Sequence, residues 1–311
     1  MRLVAGLVLA FLAYVALDGA LVAMATPLPM RGEMVDIGGR RLHLICEGAK
    51  GAGPSVLLEA GAFGFSADFG VVQEKLAARG WHVCSYDRAG LGLSDPGPEP
   101  RDGLAVVGDL EKLLAAAHED GPFILVGHSM AGLYLRLFAA RNPDKVVGLV
   151  LVDAVTPEAS ETPMGQSFVR QFASASRLAA FGARLGLYAP LAGTRLGDKI
   201  GLTPAASAEK RRAFASPIHN RWASAEVDQW LATAEEARAA GPLDPKWPVA
   251  VVVAGHRRPN GGLSDTRAAP ARQSAHGYEE SVAGASHTTL LGYKYADAIV
   301  RGVDHVRDAT R

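Results

Sequence analysis

The chain has little that ties it to a nucleic acid, a metal centre or a disulfide scaffold. Its 311 residues hold only two cysteines, and aromatic residues make up 7% of it. Two cysteines cannot build a disulfide-stapled small fold or a four-cysteine metal centre, so stability has to come from an apolar core. Basic and acidic residues number 32 each, and the resulting zero net charge leaves no electrostatic footprint for nucleic acid. No two histidines stand four residues apart, no Cys-x-x-Cys occurs, and no glycine-rich loop ends in Lys-Ser or Lys-Thr. No cofactor, no metal and no nucleic-acid partner are therefore expected.

Apolar residues, by contrast, make up 49% of the chain and charged residues 21%, enough for one α/β core with a smaller insert. Residues 55–59, 122–126, 147–152 and 249–254 are apolar runs without alternation, as parallel strands buried on both faces require. Helical stretches fall near 70–79, 104–118 and 130–141. Residues 157–247 differ: they are alanine-rich and amphipathic, broken at Pro190, Pro204 and Pro217, with no strand run. They read as a helical cap inserted between two core strands. Phe168, Phe172, Phe181, Leu185, Leu187 and Trp222 either face a small apolar acyl substrate there or pack the cap onto the core. The organisation expected is 1–33 as a hydrophobic segment plus linker, 34–156 and 248–311 as the α/β core, and 157–247 as the cap.

Leu3 to Ala25 is almost wholly apolar, interrupted by Asp18 and Gly19. As a helix these residues span about 35 Å, enough to cross a hydrocarbon core of about 30 Å. Ala23-Met24-Ala25 also fits the cleavage site of an export signal. An uncleaved anchor, with membrane contact through 3–25, and a removed signal peptide both remain open; each places the rest of the chain outside the cytoplasm.

One segment carries chemistry. Phe123-Ile-Leu-Val-Gly-His-Ser129-Met-Ala-Gly132 reads as a strand, a tight turn of small residues bearing one serine, and a helix. Such a turn pushes a serine hydroxyl out beyond the end of a sheet, and the free N–H groups of the helix behind it can hold a developing oxyanion. The usual G-x-S-x-G has glycine where this chain has Ala131, with Gly132 following. Upstream, the strand 56–58 ends in Gly61-Ala62-Phe63-Gly64, which supplies a second donor: the backbone N–H groups of Ala62 and Met130 are the oxyanion pair, with Phe63 the alternative to Ala62. A serine nucleophile also needs a base. Of nine histidines, His287 closes a strand-like run and Gly284-Ala285-Ser286 that can return it over the sheet edge. His256 is its rival; His128 adjoins the serine but projects away from it; His43 and His82 suit packing; His118, His219, His276 and His305 suit solvated or helix faces.

Together, Glu59-Ala-Gly-Ala-Phe-Gly64, Ser85-Tyr-Asp-Arg-Ala-Gly-Leu-Gly-Leu-Ser94, Gly127-His-Ser-Met-Ala-Gly132, Leu149-Val-Leu-Val-Asp-Ala154 and Gly284-Ala-Ser-His287 resemble the α/β-hydrolase superfamily, in the serine esterase and lipase branch. The likeness runs over roughly 34 to 311. It implies the α/β-hydrolase fold, a mostly parallel sheet flanked by helices with a helical cap. It also implies a catalytic set of Ser129, an acid and His287. In most of the superfamily the acid follows the strand after the cap, but here no carboxylate appears until Asp265. The alternative is Asp153, 24 residues after Ser129 at the end of the preceding strand, where similar enzymes also place it, and Asp153 is preferred. Asp87 and Arg88 read as structural pairing groups. The activity implied is hydrolysis of a carboxylic ester by two-step acyl transfer. Thioester, lactone, amide or carbon–carbon cleavage, perhydrolysis, or a non-catalytic binding role on the same fold are the alternatives. In the superfamily's strand order the strands of Cys46 and Cys84 are neighbours, which implies either a disulfide or two buried thiols.

Overall fold

A computed structural model describes residues 29–192, 200–255 and 263–311, with scattered positions between 6 and 14. Most of the apolar segment 3–25 therefore lies outside the described residues. Among those described, no helix is long and apolar enough to cross a membrane.

Eight strands form one sheet: β1 (Glu33–Asp36), β2 (Arg41–Glu47), β3 (Ser55–Glu59), β4 (Val83–Tyr86), β5 (Phe123–His128), β6 (Val146–Val152), β7 (Val249–Ala254) and β8 (Gly277–Val282). Their order is β1-β2-β4-β3-β5-β6-β7-β8. The β1/β2 and β2/β4 pairs are antiparallel, and β4 through β8 run parallel. The apolar runs of the sequence are the four central parallel strands. Period-2 alternation sends Leu57, Leu125, Leu149 and Val251 to one face and Val56, Val126, Val150 and Val252 to the other. The first face is covered by α2 (Gly103–Ala116) and α3 (Ala131–Arg141), the second by α1 (Gly70–Ala77) and the C-terminal helix α11 (Asp297–Ala309). Both faces bury β-branched and leucine side chains, which is why these strands need no polar register.

Between β6 and β7 the chain is helical: α4 (Pro157–Glu161), α5 (Pro163–Arg184), α6 (Ala189–Ala192), α7 (Pro204–Ala215), α8 (Pro217–Asp228) and α9 (Trp230–Ala239). The breaks expected at Pro204 and Pro217 are helix boundaries, and each proline begins a new helix. Thr156, Thr162, Thr203 and Ser216 each precede a proline at the first helical position, and each side-chain oxygen accepts a backbone N–H three residues on. A further helix, α10 (Leu263–Gln273), lies between β7 and β8.

His219, expected on a solvated face, is buried; its Nδ1 accepts the Gly92 N–H and its ring meets Phe65 edge-on. Burial, with Lys210 adding to it, holds its pKa down at about 3. Burial does the same to His128, helped by the nearby His287, again to about 3. In the unfolded chain both rings take a proton near pH 6.5, so the unfolded state binds more protons between pH 6.5 and 3 and stability falls with pH there. His43 acts oppositely but in another range: burial lowers its pKa, while the hydrogen bond and charge of Asp87 with the Arg31 carbonyl together outweigh burial and raise it, so its contribution changes above pH 6.5. Below 6.5 it is protonated in both states, and His128 and His219 together cost up to about 2.7 kcal/mol per pH unit. Urea unfolding between pH 7.5 and 5.5 should show this decline, and His219→Asn, which keeps an acceptor for Gly92, should flatten it.

Candidate active site

The serine sits where the sequence places it, in the turn between β5 and α3. Ser129 has φ of 57°, a conformation rare for a non-glycine residue and held here by the packing around it. Its carbonyl accepts the N–H groups of Gly132 and Val155 at 3.1 and 2.8 Å, and its own N–H donates to the Val152 carbonyl at 3.1 Å. The Ala131 departure has a structural explanation. A Cβ on Gly132 would lie 2.4 Å from the Val155 carbonyl, so glycine is required at 132. The Ala131 methyl faces Gly127, where a side chain would meet it at 3.3 Å. Glycine at 127 leaves room for alanine at 131.

Two backbone N–H groups are oriented by what their peptide carbonyls bind. Because a trans peptide holds C=O and N–H on opposite sides, the two bonds to the Ser129 carbonyl turn the Met130 N–H away from them. The Gly61 carbonyl accepts from Arg88 Nη2 at 2.9 Å, which in the same way turns the Ala62 N–H away from Arg88. Neither N–H has a hydrogen-bond partner among the described residues. Gly61 packs directly on Ser129; a Cβ there would stand 2.8 Å from the Ser129 Cβ.

Arg88 is the hub beneath this loop. Fully buried, it also donates to the Ala60 carbonyl at 2.6 Å, to Glu59 at 2.7 Å and to Glu226 of α8 at 2.8 Å. Burial alone would lower its pKa, but Glu226 and Glu59 outweigh that and keep it charged. Asp87 and Arg88 thus both pair structurally, but with different partners: Asp87 binds His43 Nδ1 at 2.9 Å. Arg88→Leu strands two buried carboxylates and is expected to cost about 3–5 kcal/mol in urea unfolding. Adding Glu59→Gln and Glu226→Gln should restore part of that.

Asp153 follows β6 with φ of 44° and is 2% exposed. Its Oδ2 accepts from His287 Nδ1 at 2.6 Å and its Oδ1 from Arg267 Nη1 at 2.6 Å. Burial pushes this carboxyl up, yet the His287 hydrogen bond and the Arg267 charge outweigh burial and hold its pKa below the usual value. The carboxylate fixes the proton of His287 on Nδ1 and leaves Nε2 as the basic nitrogen. His128 fastens the loop, its Nε2–H donating to the His287 carbonyl at 2.9 Å with the two rings 4.4 Å apart. The Ser129 hydroxyl itself has no hydrogen-bond partner among the described residues, as is common where that contact tightens only with substrate present. Asp265 opens α10, but its side chain lies outside the described residues, as does His256.

Arg267 and Glu226 are the groups the sequence reading passed over. Arg267 also lines an apolar cavity of about 250 Å³ with Val155, Met164, Phe168 and Trp230. Of the cap residues singled out, Phe168 lines this cavity, and Phe172 stacks on it and meets Phe63 and Trp230. Trp222 is buried against Gly90 instead, while Phe181, Leu185 and Leu187 are exposed.

The sequence profile of the alpha/beta hydrolase fold matches residues 54–256. A protein of Hormonema carpetanum named "Probable transporter efuK" is 35% identical over 129 residues, which are 40% of this chain and 18% of that one. The chain spans less than a fifth of the length of the first curated relatives it matches. The pyrethroid hydrolase of Sphingobium wenxiniae is 34% identical over 113 residues, 35% of this chain and 38% of that protein. Among solved structures, a thermophilic esterase of Thermogutta terrifontis covers 90% of this chain and 100% of its own at a TM-score of 0.63 and 20% identity. Structures titled as an epoxide hydrolase and an enol-lactonase match comparably, so this likeness shows the fold alone.

Proposed function

Because the chain belongs to the alpha/beta hydrolase fold family, we propose that it is a serine hydrolase cleaving a carboxylic ester by two-step acyl transfer. The observation that carries this reading is the His287–Asp153 contact at 2.6 Å beside a serine held at φ of 57° in a strand-to-helix turn. Ser129 Oγ attacks the ester carbonyl while His287 Nε2 takes its proton. The oxyanion is held by the N–H groups of Met130 and Ala62, and His287 then returns the proton to the departing alcohol. Water, deprotonated by the same nitrogen, releases the acid. Asp153 keeps His287 in the required tautomer and stabilises the imidazolium. Serine in place of aspartate at the nucleophile position speaks for an acyl rather than an alkyl intermediate.

The apolar cavity under Phe168 and Trp230 suits a small apolar acyl group. The apolar segment 3–25 supports a location outside the cytoplasm, held at the membrane or exported. Initial rates on p-nitrophenyl acetate, butyrate, octanoate and palmitate test the substrate class. Turnover is expected to peak at the shorter esters and to vanish in Ser129→Ala; equal rates in the two proteins would remove the ester reading.

A further inference from the structure

Four side chains with metal-binding atoms meet at the opposite end of the sheet from Ser129. Cys46 is near the end of β2 and Cys84 lies in β4, directly opposite in the antiparallel register, and the two are joined as a disulfide. His82, two residues before Cys84, shares its face, and Glu119 arrives from the chain just beyond α2. The ligand atoms of all four lie within 4.8 Å of one another, and His82, Cys84 and Glu119 are buried. No other such group occurs among the described residues.

We propose that this cluster has two states, and that reduction of the bridge turns it into a structural site for one zinc-like divalent cation. The donors are the Cys46 and Cys84 thiolates, His82 Nε2 and the Glu119 carboxylate. Three features of the geometry lead there.

The first is spacing. A tetrahedral ion with sulfur at about 2.3 Å and nitrogen or oxygen at about 2.0–2.1 Å sets its ligand atoms about 3.3–3.8 Å apart. The cluster holds Cys84 Sγ 3.5 Å from His82 Nε2, Cys46 Sγ 3.9 Å from Glu119 Oε1, and His82 Nε2 3.1 Å from that oxygen. Among these pairs and the bonded sulfurs, it is the sulfur pair that has to separate, and reduction allows that.

The second is the histidine tautomer. His82 Nδ1 stands 2.9 Å from the Gly48 carbonyl, which can only accept, so the proton is on Nδ1 and the neutral ring presents its Nε2 lone pair to the cluster. A backbone carbonyl on the far nitrogen is the usual support of a metal-bound histidine.

The third is charge. Lys50 Nζ lies 2.9 Å from Glu119 Oε1. A dication, two thiolates, Glu119 and Lys50 sum to zero, which suits a buried site. His82 also lines a surface cleft of about 390 Å³ that gives solvent access to it.

The steps balance. A dithiol reductant gives two electrons and two protons to the Cys46–Cys84 bond, yielding two thiols and the reductant's own disulfide. The cation then displaces the two thiol protons, which go to solvent, and takes the Nε2 lone pair of the neutral His82 ring. An oxidising compartment therefore favours the bridge and a reducing one the metal. Both states clip β2 to β4 far from Ser129.

Cobalt(II) is the probe, added without oxygen to the full chain before and after reduction with a phosphine. The reduced protein is expected to take one equivalent, with a thiolate-to-cobalt band in the near ultraviolet and tetrahedral bands in the visible. The bridged protein should take none. Cys84→Ser should weaken the near-ultraviolet band, and His82→Ala and Glu119→Gln should each raise the dissociation constant at least tenfold. Fluorophosphonate labelling of Ser129 stays unchanged in all of them, showing that the fold persists. Reduced protein without a stoichiometric band, or His82→Ala and Glu119→Gln binding as tightly as the parent, would overturn the proposal.

Discussion

Ser129→Ala is expected to lower turnover by about 10⁶-fold while leaving the protein folded, because in the proposed mechanism the Ser129 hydroxyl forms the covalent intermediate. The side chain removed is small and makes no hydrogen bond among the described residues, so little of the fold depends on it. Strain at φ of 57° is carried by the backbone bonds of Ser129 to Val152, Gly132 and Val155, none of which uses the hydroxyl. The expected pattern is therefore an unchanged unfolding midpoint with background-level rates. Residual hydrolysis of about 10³-fold over water would come from the Ala62 and Met130 N–H groups and from binding alone. A variant keeping more than a tenth of the parent's activity would mean that another nucleophile does the chemistry.

Asp153→Asn is expected to be the next most severe change, with turnover reduced by about 10⁴-fold near neutral pH. The carboxylate accepts from His287 Nδ1; an asparagine amide can donate there instead, which favours the other tautomer and removes the free base from Nε2. Arg267 adds to the loss, because its charge would then face a neutral amide. Asp265→Asn made in parallel is expected to stay within a few-fold of the parent. If the two variants exchange these phenotypes, the acid is Asp265. Because Asp153 has a lowered pKa, it stays ionised well below neutrality, and the acid limb of the rate profile reflects protonation elsewhere.

These residues were legible in the sequence to different degrees, for physical reasons. The strands β3, β5, β6 and β7 announce themselves because parallel strands covered on both faces are continuous apolar runs, and their observed limits differ from the expected ones by only one or two residues. The turn around Ser129 was legible because close packing calls for small residues at 127, 131 and 132. The preference for Asp153 rested on its spacing from Ser129 and on where similar enzymes place the acid, and the structure puts that carboxylate on His287.

Other features have no local signature. Arg88 and Glu226 are 138 residues apart and meet only because α8 folds back over the loop after β3. Arg267 lies on a helix hidden by its own composition, since Pro270 sits inside it and polar residues dominate. Breaks in the cap were legible at Pro204 and Pro217, but not that each proline opens the helix that follows it. Thr203-Pro204 and Ser216-Pro217 are N-terminal signatures, and a reading that weighed the residue before each proline would have started helices there. His219 was misplaced because an isolated histidine on a helix carries no sign of which face will be buried.

Intact-mass measurement after treating the full chain with a fluorophosphonate is the most direct test of a serine made nucleophilic by His287 and Asp153. One adduct per chain is expected, located on Ser129 by peptide mapping, absent in Ser129→Ala and strongly slowed in His287→Ala and Asp153→Asn. A folded protein that takes no adduct would show that this serine is not activated and that the fold serves binding rather than hydrolysis, and labelling indifferent to His287 would contradict its activation by His287 and Asp153.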